Sequence, residues 1–157
     1  MKIGVIGAGR LGICFALLCE AAGHPVLVSD VRKDYVDALN DRHIDTKEPE
    51  VQNLLREAER FEATTDNRRV IRECDLIYTL VPTPSLEDGS YDVSAIWQVV
   101  EDFKLEMGGI ANYPKNFVVG STTNPGDCRE FRNALPQSVR VFYNPEFIAQ
   151  GTIVKDL

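Results

Sequence analysis

Gly7-Ala8-Gly9-Arg10-Leu11-Gly12 stands between a short β-branched run, Lys2 to Ile6, and an apolar helical stretch, Leu11 to Ala22, that Gly23 closes. That placement decides the fold. Between a strand and a helix, the first glycine takes the tight turn and the second lets the backbone approach a pyrophosphate. The third lets helix and strand pack closely. The helix start adds free N–H groups and the positive end of its dipole. A second strand, Pro25 to Ser29, runs into Asp30, 18 residues beyond Gly12, where an acid accepts hydrogen bonds from a ribose 2′-hydroxyl. The plainer alternative for the glycines alone is a flexible turn, and Asp30 weighs against it.

A carboxylate at that position opposes the extra phosphate of NADP, so the residues favour NAD. Arg32 keeps NADP as an alternative, because a guanidinium two residues on could reach a phosphate; otherwise it is a solvated charge at a helix start.

Outward from this βαβ unit, strand-like and helix-like segments keep alternating. Val51, Leu54, Leu55 and Ala58 recur at helical spacing, Val70, Ile71 and Cys74 suggest a short helix, and Asp75 to Val81 is a buried strand stopped by Pro82 and Pro84. Leu86 to Tyr91 is a loop, Asp92 an N-cap, and Val93, Ile96, Val100, Phe103 and Met107 mark a helix ended by Gly108-Gly109. A strand at Asn116 to Gly120, a polar turn, a helix from Asp127 to Leu135 and a strand at Val139 to Tyr143 follow. Strands joined by helical crossovers predict one α/β domain over residues 1–157, a doubly wound, Rossmann-type, mostly parallel sheet with ligands at the carboxyl ends of its strands.

Composition narrows the partners. With 17 Lys and Arg against 24 Asp and Glu, the net charge of −7 repels nucleic acid and anionic lipid, and no basic cluster overrides it. The apolar stretches are too short to span a bilayer, and Met1 leads directly into a strand without a signal-peptide cleavage region, so a cytoplasmic location is expected. Cys14, Cys19, Cys74 and Cys128 lie in helical segments without C-x-x-C spacing and read as small apolar residues, so no metal is expected.

Three polar turns follow strand ends on the side of the glycine loop: Val81-Pro82-Thr83-Pro84, Ser121-Thr122-Thr123-Asn124-Pro125-Gly126, and Asn144-Pro145-Glu146-Phe147-Ile148-Ala149-Gln150-Gly151. Thr83, Ser121, Thr122 and Glu146 can therefore converge on one cleft, although each alone could equally be a cap or turn former.

As an ordered set, these segments resemble the N-terminal domain of the UDP-glucose and GDP-mannose 6-dehydrogenase family. The resemblance covers essentially the whole chain. It takes in the glycine loop, Asp30, Glu48-Pro49, the Val-Pro-Thr-Pro turn, Asp92, the Ser-Thr turn and Asn-Pro-Glu-Phe with Gly151-Thr152 and Lys155-Asp156-Leu157. The closing segment looks especially like the UDP-glucose enzymes.

The resemblance implies a full-length enzyme that oxidises a sugar C6 alcohol to a uronic acid with two NAD, through a thiohemiacetal and a thioester on a cysteine. It implies that the cofactor is bound by Gly7, Ala8, Gly9, Arg10, Leu11, Gly12, Asp30, Val81, Pro82, Thr83, Pro84, Ser121, Thr122, Thr123 and Gln150. Thr122 would also help position a catalytic water. Glu146 would be an acid/base in the hydrolytic step, where a proton acceptor is needed beside water, and would border the sugar with Phe147 and Ile148. Alternatively, Glu146 is a structural carboxylate capping backbone N–H groups.

Departures accompany the match. Arg10-Leu11 stands where the family usually has Tyr-Val, Glu50 replaces a glycine, Tyr35 replaces a basic residue, and Gln150 replaces a glutamate. The family's catalytic cysteine, lysine and asparagine lie in later motifs that these 157 residues do not contain, as do its central helix and C-terminal sugar-binding domain. The isolated chain is therefore expected to be monomeric and inactive, and the full-length form a homo-oligomer acting on a UDP- or GDP-sugar. The rival from another class is a stand-alone, non-catalytic NAD-binding module, a sensor or subunit. Within enzymes, the wider hydroxyacid-dehydrogenase group is opposed by Asn-Pro-Glu-Phe.

Overall fold

The computed structural model of the chain describes residues 1–48, 50–108, 114–146, 151 and 153–157. Six strands alternate with helices in the order β1 (Ile3–Ile6), α1 (Arg10–Ala21), β2 (Val26–Ser29), α2 (Lys33–Asn40), α3 (Val51–Glu57), β3 (Phe61–Thr64), α4 (Asn67–Glu73) and β4 (Leu76–Thr79). They continue with α5 (Ser94–Met107), β5 (Lys115–Val119), α6 (Asp127–Ala134), β6 (Val139–Tyr143) and α7 (Ile153–Asp156). The sheet runs β3-β2-β1-β4-β5-β6, and every neighbouring pair is parallel. The expected doubly wound, parallel, Rossmann-type sheet is present, and its strand order reverses at β1.

The register aligns the strand ends. Ser29 and Thr79 lie beside Ile6, Thr64 beside Ser29, Val119 beside Thr79 and Tyr143 beside Val119. Every strand therefore releases the chain at one edge of the sheet, where the loops can meet.

Central strands must be apolar on both faces because crossover helices cover both. Accordingly, all four side positions of Ile-Gly-Val-Ile in β1 and of Val-Leu-Val-Ser in β2 are buried. Ile3, Val5, Val26 and Val28 pack under Ile13, Leu17, Leu39 and Leu55 of α1, α2 and α3. Ile6, Leu27, Ile77 and Phe117 pack under α4, α5 and α6, where Phe103 meets Phe117 with ring centroids 4.8 Å apart. Burying a large aliphatic or aromatic side chain contributes about 1.5–3 kcal/mol, so these two layers dominate the fold.

β3 and α7 lie outside the reading of the sequence, and α2 enters it only through Arg32 as a charge at a helix start. α2 shows only Val36 and Leu39 as buried residues, and β3 buries only Phe61 and Ala63. The open edge of β3 is masked by side chains: Asn40 exchanges two hydrogen bonds with the Ala63 backbone, at 2.9 and 2.8 Å, and Arg42 donates to Phe61 O at 2.8 Å. Such cover protects an edge strand from pairing with another chain. Asp92 is shifted from its expected role, since Val93 is the N-cap of α5 while the Asp92 carboxylate accepts from Ser94 N.

Candidate functional site

The strand order reverses between β1 and β4, and the glycine loop leaves β1 at that crevice. Gly7 has φ +96°, and a Cβ on it would lie 2.6 Å from Leu80 O in the chain leaving β4. A Cβ on Gly12 would lie 1.9 Å from Gly7 O, so two glycines are sterically required by the protein itself. Gly9 differs. It caps α1 with no side-chain hydrogen bond, and a Cβ there would meet no atom within 4 Å. Gly9 thus leaves open space in front of a helix N-terminus, the arrangement that suits an anion.

A cavity of about 590 Å³ brings Gly7 and Gly9 together with Asp30, Arg32, Val81 and Pro82. A smaller one of about 270 Å³ runs from Gly9 and Arg10 past Arg32 and Tyr35 to Thr46 and Lys47. The side chain of Asp30 is only 8% exposed. Burial raises its carboxyl, but the Arg32 side chain and backbone bonds from Arg32 and Ala8 outweigh that and hold it below the usual carboxylate range. Of the other loop residues, Ala8 and Gly12 are buried and Leu11 packs against the α1 core. They shape the turn from beneath.

The loops after β4 and β5 are tied to each other. Ser121 is buried and its hydroxyl donates to Val81 O at 2.8 Å. Tyr91 N–H donates to Asn124 Oδ1 at 2.7 Å, and Asn124 Nδ2 donates back to Tyr91 O at 3.0 Å. Thr83 is half-buried, Pro84 and Thr122 are exposed, and Thr123 Oγ1 lies 3.9 Å from Cys128 Sγ. Val81 and Pro82 therefore join the glycine loop around the larger cavity, while Thr83, Pro84, Ser121, Thr122 and Thr123 are not among its lining residues.

Glu146 is half-exposed, and its Oε1 accepts from Asn144 Nδ2 at 2.7 Å; the same amide donates to the Tyr78 hydroxyl at 3.2 Å. The Tyr78 ring packs on Phe15, and burial, then the charge of Glu146, push its hydroxyl up. Tyr78 and Asn144 are thus site neighbours that motif reading passes over, although Asn144 opens the Asn-Pro-Glu-Phe segment. Phe147, Ile148 and Gln150 lie outside the described residues. Gly151 is described, and its N–H is shared between the two oxygens of Glu48, at 2.9 and 3.0 Å. Glu48 is 5% exposed.

None of the four thiols is poised as a nucleophile. Burial, with the charge of Glu48 added, pushes Cys14 up to about 11; burial alone takes Cys19 to about 11, burial chiefly takes Cys74 to about 12, and Cys128 is also raised. A reactive cysteine has the opposite surroundings. Among the described residues no group of His, Cys, Asp and Glu could hold a metal ion, and no helix is long and apolar enough to cross a membrane.

Residues 1–157 match the UDP-glucose/GDP-mannose dehydrogenase family, NAD binding domain. The chain is 29% identical to a UDP-glucose 6-dehydrogenase of Haloferax volcanii, the match covering 99% of this chain and 38% of that protein. It is also 29% identical to a GDP-mannose 6-dehydrogenase of Pseudomonas aeruginosa, with the same two coverages. A crystal structure of GDP-mannose dehydrogenase from the same organism superposes with a TM-score of 0.89 at 27% identity, over 99% of this chain and 38% of that one. The chain thus spans well under half the length of these relatives.

Proposed function

The chain belongs to the UDP-glucose/GDP-mannose dehydrogenase family, as a NAD-binding domain, and from that premise we propose that it forms the cofactor half of an enzyme oxidising the C6 alcohol of a UDP- or GDP-sugar to a uronate. The observation that carries this reading is the contrast among three glycines. Gly7 and Gly12 have no room for a Cβ, whereas Gly9 faces open space beside a cavity rimmed by Asp30.

In this reading the N-terminus of α1 holds the cofactor pyrophosphate through its backbone N–H groups, and the missing Cβ of Gly9 lets the phosphates approach. Asp30 accepts from the adenosine ribose. Val81 and Pro82 line the cavity, and the family resemblance extends the cofactor contacts beyond it to Thr83, Pro84, Ser121, Thr122, Thr123 and Gln150. Bound NAD supplies the hydride acceptor. Glu146, held by Asn144 through Oε1, moves a proton at its carboxylate during thioester hydrolysis, and Thr122 orients the attacking water. Glu146, Phe147 and Ile148 border the sugar.

The covalent stage needs a thiolate, and Cys14, Cys19, Cys74 and Cys128 are all held as thiols. The residues described here therefore bind the cofactor without completing the reaction. The test is to titrate NADH into the 157-residue chain, then follow NADH absorbance with NAD and UDP-glucose or GDP-mannose. The expected result is saturable NADH binding and no steady turnover. Absence of NADH binding contradicts the reading, as does turnover abolished by replacing one of these four cysteines.

A further inference from the structure

Asp30 is already engaged at both oxygens by Arg32. Its Oδ1 accepts from Arg32 N–H at 3.0 Å and from Arg32 Nε at 2.9 Å, and its Oδ2 accepts from Arg32 Nη2 at 3.0 Å. A carboxylate offers about four lone-pair sites and Arg32 takes three of them, so both hydroxyls of a ribose diol can be accepted only after something leaves. The backbone donor, Arg32 N–H, is fixed by the turn after β2. The guanidinium is the movable one: the Arg32 side chain is 57% exposed, and its Cζ rests 4.2 Å from the centroid of the Tyr35 ring. Arg32 also lines both cavities beside the glycine loop, so its movement changes the shape of each.

We propose that Arg32 is an internal competitor for Asp30 and sets the cofactor preference of this chain, a role that rests on the assignment of Asp30 to the adenosine ribose. The planar fork of the guanidinium occupies the carboxylate as two hydroxyl groups of a ribose would. NAD must displace it and offers no anion at the 2′-position in return. NADP displaces the same fork but presents a phosphate that the released guanidinium can bind bidentately. Arg32 therefore weakens NAD binding and offsets the repulsion between Asp30 and a 2′-phosphate, narrowing the discrimination that Asp30 alone imposes.

The test titrates NADH and NADPH, separately, into the wild-type chain, Arg32→Ala and Arg32→Lys, with circular dichroism confirming the fold. Arg32→Ala is expected to bind NADH about three- to tenfold tighter, the scale of part of one charge-assisted pair, and NADPH more weakly. Arg32→Lys, which keeps the charge and loses the fork, falls between. NADH binding that is unchanged or weaker in Arg32→Ala overturns the proposal while leaving the cofactor assignment standing. Failure of every chain to bind either dinucleotide overturns the assignment itself, and the role of Arg32 with it.

Discussion

Asn124 and Tyr91 clasp each other, the Asn124 side chain accepting from Tyr91 N–H at 2.7 Å and donating to Tyr91 O at 3.0 Å across 33 residues of chain. The bond pair imitates one rung of a sheet between two loops that have none. Asn124 is fixed in turn by Asp127, whose Oδ2 accepts from both its N–H and its Nδ2. The long loop after β4 is thus hung on the turn after β5, and with it Val81 and Pro82 at the cavity wall.

Replacing Asn124 by Ala leaves half-buried backbone groups of Tyr91 without their partner. The expected loss is about 2 kcal/mol, which for a chain of this length lowers the melting temperature by roughly 4–8 °C. Thermal unfolding followed by circular dichroism measures it. A variant melting with the wild type would mean that water replaces the clasp without penalty.

Thiol chemistry checks the reading of the four cysteines. Cys14 and Cys74 are buried, Cys19 and Cys128 half-buried, and with thiols pushed up to about 11 in Cys14 and Cys19 and about 12 in Cys74 almost no thiolate is present near pH 7.5. The folded chain should alkylate with iodoacetamide far more slowly than a free thiol of ordinary pKa, about 8.5, and all four sites should react once urea unfolds it. Rapid modification of one site in the folded chain would reopen the case for a nucleophile among them.

Acid should weaken the fold through the ion cluster at the opposite edge of the sheet. Lys2 Nζ bonds Glu73 Oε2 at 2.6 Å, Arg69 Nε bonds Glu73 Oε1 at 2.8 Å, and Arg69 also forks onto Glu62. The Lys2 bond first, then Arg69, holds Glu73 at about 2, below its ordinary 4.5. A depressed folded value means that the contribution is complete above the ordinary value and is lost as the pH falls from 4.5 toward 2. All these side chains are partly exposed, so the effect is small and screened by salt. Urea midpoints measured from pH 6 to pH 2.5 should fall less steeply in Glu73→Gln than in wild type, with the difference shrinking in 1 M NaCl; equal slopes would remove Glu73 from the acid response.

Much of this architecture is legible in the sequence because burial on both faces leaves strand runs such as Ile3–Ile6 and Val26–Ser29 almost wholly apolar, and glycines mark the loop between strand and helix. α2 is largely hidden because half of its residues are exposed and only Val36 and Leu39 are buried to carry the helical period. β3 is hidden because four residues with one exposed Glu62 give too short an alternation to stand out. The glycine loop and Asp30 are recognisable at the site, since local spacing dictates them. The partners of Asp30, Glu146 and Tyr91 are not. Arg32, Asn144 and Asn124 act through side-chain directions that depend on the finished turn, and Tyr78 reaches Asn144 from a strand 66 residues earlier.

The most direct test of the cofactor cradle is NADH binding by wild type and Gly9→Ala, read by nicotinamide fluorescence alongside the melting temperature. An added Cβ at Gly9 touches no protein atom, so the fold should be unchanged, while the methyl stands where a pyrophosphate must approach. The account predicts saturable binding by the wild type and binding weakened at least about tenfold, a loss of roughly 1.4 kcal/mol, in a Gly9→Ala chain that melts normally. Equal NADH affinity in the two chains, or no saturation by the wild type, would contradict it.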